Sequence, residues 1–104
     1  MKNEPKKQEK MNEVLDLKQD QKSGFISVIV KDSLVAQMTF VFMGDMKIII
    51  DHTQVDKNYN GRGYGKMMLA KAVEFARENQ IKIIPLCPFA KSVFDKTPDY
   101  SDVL

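Results

Sequence analysis

The sequence predicts an α+β fold, a mixed α/β arrangement in which an antiparallel meander leads into a strand–helix–strand crossover and a short C-terminal helix. Three observations carry that prediction. Apolar, β-branched runs alternate with short polar turns between residues 25 and 55. An amphipathic stretch of helical period follows over residues 63–79. Between the two lies a glycine-rich elbow, Asn60-Gly61-Arg62-Gly63-Tyr64-Gly65-Lys66, which holds three of the chain's five glycines.

Each element has its own local reason. Residues 1–10 (MKNEPKKQEK) lack any periodic apolar pattern and read as a solvated, disordered tail, leaving residues 11–104 for one domain. Val14, Leu15 and Leu17 suggest a short strand over residues 13–17. Residues 25–30 (FISVIV) form a β-branched strand, closed by a turn at Lys31-Asp32-Ser33. Residues 34–42 then alternate, with Ala36, Met38, Phe40 and Phe42 on one face and Val35, Gln37, Thr39 and Val41 on the other. Gly44-Asp45 turns the chain into a strand over residues 46–55. Turns this short force antiparallel pairing. Such a sheet needs a helix over its apolar face.

That helix is residues 63–79. At about 100° per residue, Tyr64, Met68, Leu69, Ala72, Val73, Phe75 and Ala76 fall on one arc. Lys66, Lys71, Glu74, Arg77 and Glu78 take the opposite one. Residues 81–86 (IKIIPL) read as a strand that returns parallel to residues 46–55 by a right-handed crossover. Pro85 has no N–H to give a ladder, so the parallel pair is expected to part there. Pro88 suits a first helical turn, which predicts a short helix over residues 89–96 and a coil over residues 99–104.

Composition narrows the function. Apolar content of 43% with 29% charged residues fits a globular protein. Net charge is +2, and residues 1–10 supply all of it, so the remainder is neutral and offers no basic surface for nucleic acid. No apolar run reaches the roughly 20 residues of a membrane-spanning helix. One cysteine and no signal-peptide pattern lead to the expectation of a cytoplasmic setting.

The elbow is the centre of chemical interest. Glycine admits positive φ and leaves main-chain N–H groups open to a ligand. A helix that starts there adds unpaired N–H groups and the positive end of its dipole. The pair makes an anion cradle, most often for phosphate. It is not a P-loop: Gly65-Lys66 matches the end of that motif, but Asn60 and Met67 occupy its first glycine and hydroxyl positions. The dinucleotide fingerprint fails too, since its third glycine falls on Lys66 or Met68.

The elbow resembles the acyl-CoA signature of the GNAT superfamily of N-acetyltransferases, Arg or Gln followed by x-x-Gly-x-Gly or Ala, with Asn60 in the first place. The resemblance runs from about residue 25 to residue 96 and looks like a minimal, stand-alone branch without the two helices that usually separate the first strands. His52-Thr53 ahead of the elbow and Pro85-Leu86-Cys87-Pro88-Phe89 behind it resemble that branch as well. The resemblance implies acetyl-CoA as cofactor, with its pyrophosphate on the N–H groups of Arg62, Gly63, Tyr64 and Gly65 and its pantetheine arm on the backbone near Val55. Asn60 and Gly61 belong to the same loop, and Arg62 and Lys66 can add charge-assisted contacts. A glycine-rich helix start with no ligand is the alternative reading.

Two departures matter. Where many members carry Asn-x-x-Ala-x-x-x-Tyr-x-Lys, this chain has Cys87 for the asparagine and Phe94 for the tyrosine that protonates the departing thiolate. Cys87, at the parting of two strands and before a helix, is a candidate nucleophile or proton donor; the alternative is a small buried thiol that only packs. His52, the single histidine, is a candidate general base or else a hydrogen-bonding residue of the sheet. Alternation sets it beside Ile48 and Ile50, with Asp51 and Thr53 opposite. Tyr100 is a candidate substitute acid or a solvent-facing tail residue.

The expected function is acetyl transfer from acetyl-CoA to an amine of a small molecule, peptide or protein. A non-catalytic acyl-CoA-binding or sensing module is the alternative. The lost helices leave the acceptor side open, which suits a large acceptor, or a homodimer in place of a monomer.

Overall fold

The computed structural model describes residues 13–104; the tail expected over residues 1–10 lies outside them. Five strands form one sheet in chain order: β1 (Glu13–Gln19), β2 (Ser23–Val30), β3 (Ser33–Met43), β4 (Lys47–Val55) and β5 (Lys82–Pro85). The first four pair antiparallel and β5 joins β4 in parallel, as the short turns and the crossover predict. Lys31 and Asp32, at φ 52° and 68°, close the β2–β3 hairpin with the left-handed backbone that matches strand twist.

The crossover helix α1 (Tyr64–Asn79) lays its apolar arc on the sheet. Its residues Tyr64, Met68, Leu69, Ala72, Val73, Phe75 and Ala76 are all buried, together with Ile26, Val28, Met38, Phe40, Ile48 and Ile50 from the strands. Phe40 and Phe75 meet with ring centroids 5.8 Å apart. Removing a side chain as fully enclosed as Leu69 from water contributes about 1.5–3 kcal/mol. Gln80 ends the helix in the left-handed conformation, its N–H returning to the carbonyls of Ala76 and Arg77. The second helix, α2 (Pro88–Lys96), begins with Pro88 as its sequence requires. The other face of the sheet keeps Phe25, Val41 and His52 exposed. Among the described residues, no helix is long and apolar enough to cross a membrane.

Three expectations need correction. Val35, assigned to the outer face, is buried, because a register shift between Val28 and Ile29 leaves it as an extra residue without a partner in β2. His52 does not share a face with Ile48 and Ile50. The β3–β4 register slips between Thr39 and Phe40, so Phe40 opposes Ile50 but Thr39 opposes His52. That bulge at Asp51 reverses the alternation, turning Thr53 and Val55 toward the helical side and His52 away from it. Residues 99–104 are not a coil either. All but Leu104 belong to a 3-10 helix (Pro98–Val103) held by a bidentate pair from Arg77 to Asp102, at 2.9 and 2.8 Å, and by the buried Val103. Six residues with one apolar anchor carry no period to read.

Candidate functional site

The parallel pair is short. Its last register partners are Ile50 and Pro85, and the Ile50 carbonyl then accepts from the N–H groups of both Leu86 and Cys87, at 3.1 and 3.0 Å. Proline offers no ladder donor, so β5 leaves the sheet here. β4 runs on through residues 51–55 with β3 on one side only. The sheet therefore forks, and one edge of β4 keeps main-chain groups free for an extended ligand.

A cavity of about 520 Å³ opens beside that edge, lined by Thr53, Val55, Tyr59, Asn60, Gly61, Gly63, Tyr64, Gly65, Lys66 and Phe89. The elbow is built for it. Gly61 and Gly63 sit at φ 81° and 82°, and a Cβ at either would meet nothing within 4 Å. They are glycines for conformation. Gly65 is a glycine for packing, since a Cβ there would fall 2.6 Å from Phe89 Cζ. Gly63 caps α1 without a side-chain hydrogen bond, and the first intrahelical donor is the Met67 N–H, 3.0 Å from the Gly63 carbonyl. The N–H groups of Tyr64, Gly65 and Lys66 thus have no partner within the helix. Asp56 caps the short 3-10 turn Lys57–Tyr59 ahead of them.

Arg62 does not line the cavity. Its guanidinium lies over the Tyr59 ring, 4.8 Å from the centroid, and Tyr59 in turn stacks on Tyr64. The Tyr64 hydroxyl donates to Glu13 on β1 at 2.6 Å, and this bond pushes the phenol above its ordinary range. So Tyr64 anchors the start of α1 by its side chain while its N–H faces the cradle.

Cys87 is the N-cap residue of α2 and is 3% exposed. Its Sγ lies 3.1 Å from Thr53 Oγ1. Thr53 lines the cavity and Cys87 does not. The thiol meets the cavity through a hydroxyl. His52 stands on the opposite face of the sheet, beside Asp51, whose Oδ1 accepts from Thr39 Oγ1 at 2.6 Å. Tyr100 is not brought to this cavity; its ring packs edge-on against Phe94, with the Arg77 guanidinium 5.9 Å from its centroid. Phe94, in the place of the missing tyrosine, is buried.

Sequence reasoning missed Tyr59, and it placed Thr53 and Phe89 in the motifs flanking the elbow without giving either a role in the site. The helix-facing positions step from 48 and 50 to 53 and 55, an even-to-odd change that shows only in the β3–β4 register.

The likenesses to known proteins agree with this geometry. The profile of a family described as GCN5-related N-acetyl-transferase matches residues 25–103. Among solved structures, a candidate GCN5-like N-acetyltransferase from Staphylococcus aureus is 39% identical over 86% of each chain, with a TM-score of 0.65. The ribosomal-protein-alanine N-acetyltransferase of Brucella melitensis biovar Abortus 2308 shares the fold at 18% identity and a TM-score of 0.62, over 74% of this chain. An aminoglycoside acetyltransferase from a soil metagenome, solved with sisomicin, does so at 17% identity and a TM-score of 0.59, over 80% of this chain. The chain spans 62% and 57% of the length of those two proteins. Among curated proteins, no sequence matches it.

Proposed function

The chain belongs to the GCN5-related N-acetyltransferase family, and on that premise we propose that it transfers an acetyl group from acetyl-CoA to an amine. The observation that carries the proposal is the fork: a free strand edge at residues 51–55 leads straight to the unpaired N–H groups of Tyr64, Gly65 and Lys66. An extended ligand with amide groups at one end and a diphosphate at the other fits that order of partners. Gly61 and Gly63 leave room for the diphosphate, and Lys66 adds a cation at the rim. Bound acetyl-CoA supplies an activated acyl group as a thioester.

The chain's own residues then have three tasks. Main-chain N–H groups at the fork polarise the thioester carbonyl as donors aimed at developing charge. His52, on the uncovered face, takes the proton of an amine that arrives from that side, directly or through water. The departing sulfur needs a proton, and the hydroxyl of Thr53 can give one while taking another from Cys87 Sγ at 3.1 Å. Burial of the thiol behind Thr53 favours this relay over Cys87 as the nucleophile. Tyr100, turned onto Phe94, is the weakest of the candidates. The open outer face suits a peptide or protein acceptor over a small amine, and a second copy of the chain is the alternative cover.

One observation favours a second reading, a module that holds acyl-CoA without turnover. Phe94 places a buried ring with no ionisable group where the family's usual proton donor stands. Release of free CoA thiol separates the two. Transfer predicts release from acetyl-CoA that depends on an added amine or lysine peptide. Binding without amine-dependent release supports the module, and no binding removes both.

A further inference from the structure

The fork lies toward one edge of the sheet, and β1 forms the other edge. Among the described residues no strand pairs with the outer side of β1, and Val14 is half exposed there. One bond fixes which main-chain groups point outward. The Asp20 N–H donates to the Ser23 carbonyl at 2.9 Å, which extends the β1–β2 register by one pair and makes that pair a hydrogen-bonded one. Antiparallel ladders alternate between bonded and non-bonded pairs. Val14, Asp16 and Lys18 therefore bond to β2, while the N–H and C=O groups of Leu15, Leu17 and Gln19 face away from the sheet. We propose that this edge pairs antiparallel with β1 of a second copy of the chain, about a two-fold axis at Leu17, so that two sheets join into one.

Charge complementarity selects both the occupant and the register. With the axis at Leu17, that residue exchanges both hydrogen bonds with Leu17 of the second copy, and Leu15 exchanges with Gln19. Asp16 of each copy then faces Lys18 of the other at a non-hydrogen-bonded position, where side chains on facing strands come closest. Within one chain these two side chains are 3.9 Å apart and open to solvent, so they hold each other weakly. The neighbouring registers are worse. An axis one residue either way sets Asp16 against Asp16 or Lys18 against Lys18, and like charges directly opposed destabilise a ladder. An axis at Leu15 sets Asp16 against Val14 and forms no charge pair. An axis at Gln19 needs ladder geometry from the β1–β2 turn, which Asp20 holds by accepting from the N–H groups of Lys22 and Ser23 at 2.7 and 2.9 Å. On the helix-facing side, Leu15, Leu17 and Phe75 border a groove of about 300 Å³ between β1 and α1. Both leucines are only partly buried. The two-fold lays Leu17 against Leu17 and covers that apolar border. The parallel pair stands at the far edge of the sheet, away from this interface.

Sedimentation equilibrium of the full chain from micromolar to millimolar concentration tests this, with Asp16→Lys, Lys18→Asp and the double exchange beside the wild type. The wild-type mass should rise to that of two chains. Either single reversal turns both cross-copy attractions into repulsions and should weaken dimerisation about tenfold or more. The double exchange restores opposite charges in the same register and should return the wild-type affinity. Circular dichroism checks that each variant is folded. Hydrogen exchange supplies a second readout: the amides of Leu15, Leu17 and Gln19 should slow as concentration rises, while those of Val14, Asp16 and Lys18 stay protected throughout. A mass of one chain at millimolar concentration would overturn the proposal, as would a dimer that neither reversal weakens, or a double exchange as weak as the singles. Slow outer-edge amides in a chain that stays monomeric would show the edge covered from within the chain, which overturns it too.

Discussion

Substituting Gly65 by alanine tests the packing of the elbow directly. Gly65 lies in the first turn of α1, so alanine there gains helix propensity of up to about 1 kcal/mol. Against that gain, the new Cβ would sit 2.6, 2.9 and 3.2 Å from three carbons of the Phe89 ring, closer than carbon atoms pack. Overfilling of this kind costs about 1–3 kcal/mol. Phe89 is 36% exposed and can swing outward, which holds the cost toward the lower end. Gly65→Ala should therefore destabilise by up to about 1 kcal/mol, a fall in Tm of no more than about 4–8 °C for a chain of this size. In a Phe89→Ala background the clash is gone and only the helix term remains. The same substitution should then stabilise. Urea and thermal unfolding of the four variants, followed by circular dichroism, give the coupling between the two positions, expected at about 1–3 kcal/mol. An effect of the same sign and size in both backgrounds refutes the reasoning.

Other consequences follow from the same geometry. Gly63→Ala places a side chain at φ 82° with no atom to clash, so the backbone term alone should cost about 1–2 kcal/mol by chemical unfolding, and Gly63→Asn should recover part of it. Thr53→Val should lower kcat by about 10²-fold with little change in KM if the hydroxyl relays a proton, and an unchanged kcat would remove that role. The Tyr64 phenol, raised by its bond to Glu13, should ionise above the ordinary tyrosine range in ultraviolet titration, and Tyr64→Phe should delete that component. The Arg77 guanidinium holds Asp102 below the usual carboxylate range. Its contribution to stability is present above the unfolded carboxylate value and is lost as pH falls below about 4. Asp102→Asn should therefore cost stability at neutral pH and flatten the acid limb of a Tm–pH profile.

Much of this molecule is legible in its residues, and the parts that are not have identifiable causes. The helical arc from Tyr64 to Ala76 reads cleanly because one element buries one stripe against one sheet. Pro85 reads as the end of the parallel pair because a missing N–H acts locally. Faces on β4 do not read, because a bulge inserts one residue and reverses every side chain after it. Gly65 differs in purpose from Gly61 and Gly63 only through Phe89, more than twenty residues away, and no local rule reports a contact of that range. The contacts of Tyr100 do not read for the same reason: they depend on Arg77 and Phe94, met only once the C-terminal 3-10 helix docks.

The central claim is that main-chain amides at the fork and elbow grip a coenzyme. Backbone amide resonances of the full chain, followed through a titration with acetyl-CoA, test it most directly. Saturable shifts confined to Val55, Gly61, Gly63, Tyr64, Gly65 and their neighbours are the predicted result. Resonances that stay in place there at millimolar acetyl-CoA, or shifts scattered over the uncovered sheet face instead, would contradict it.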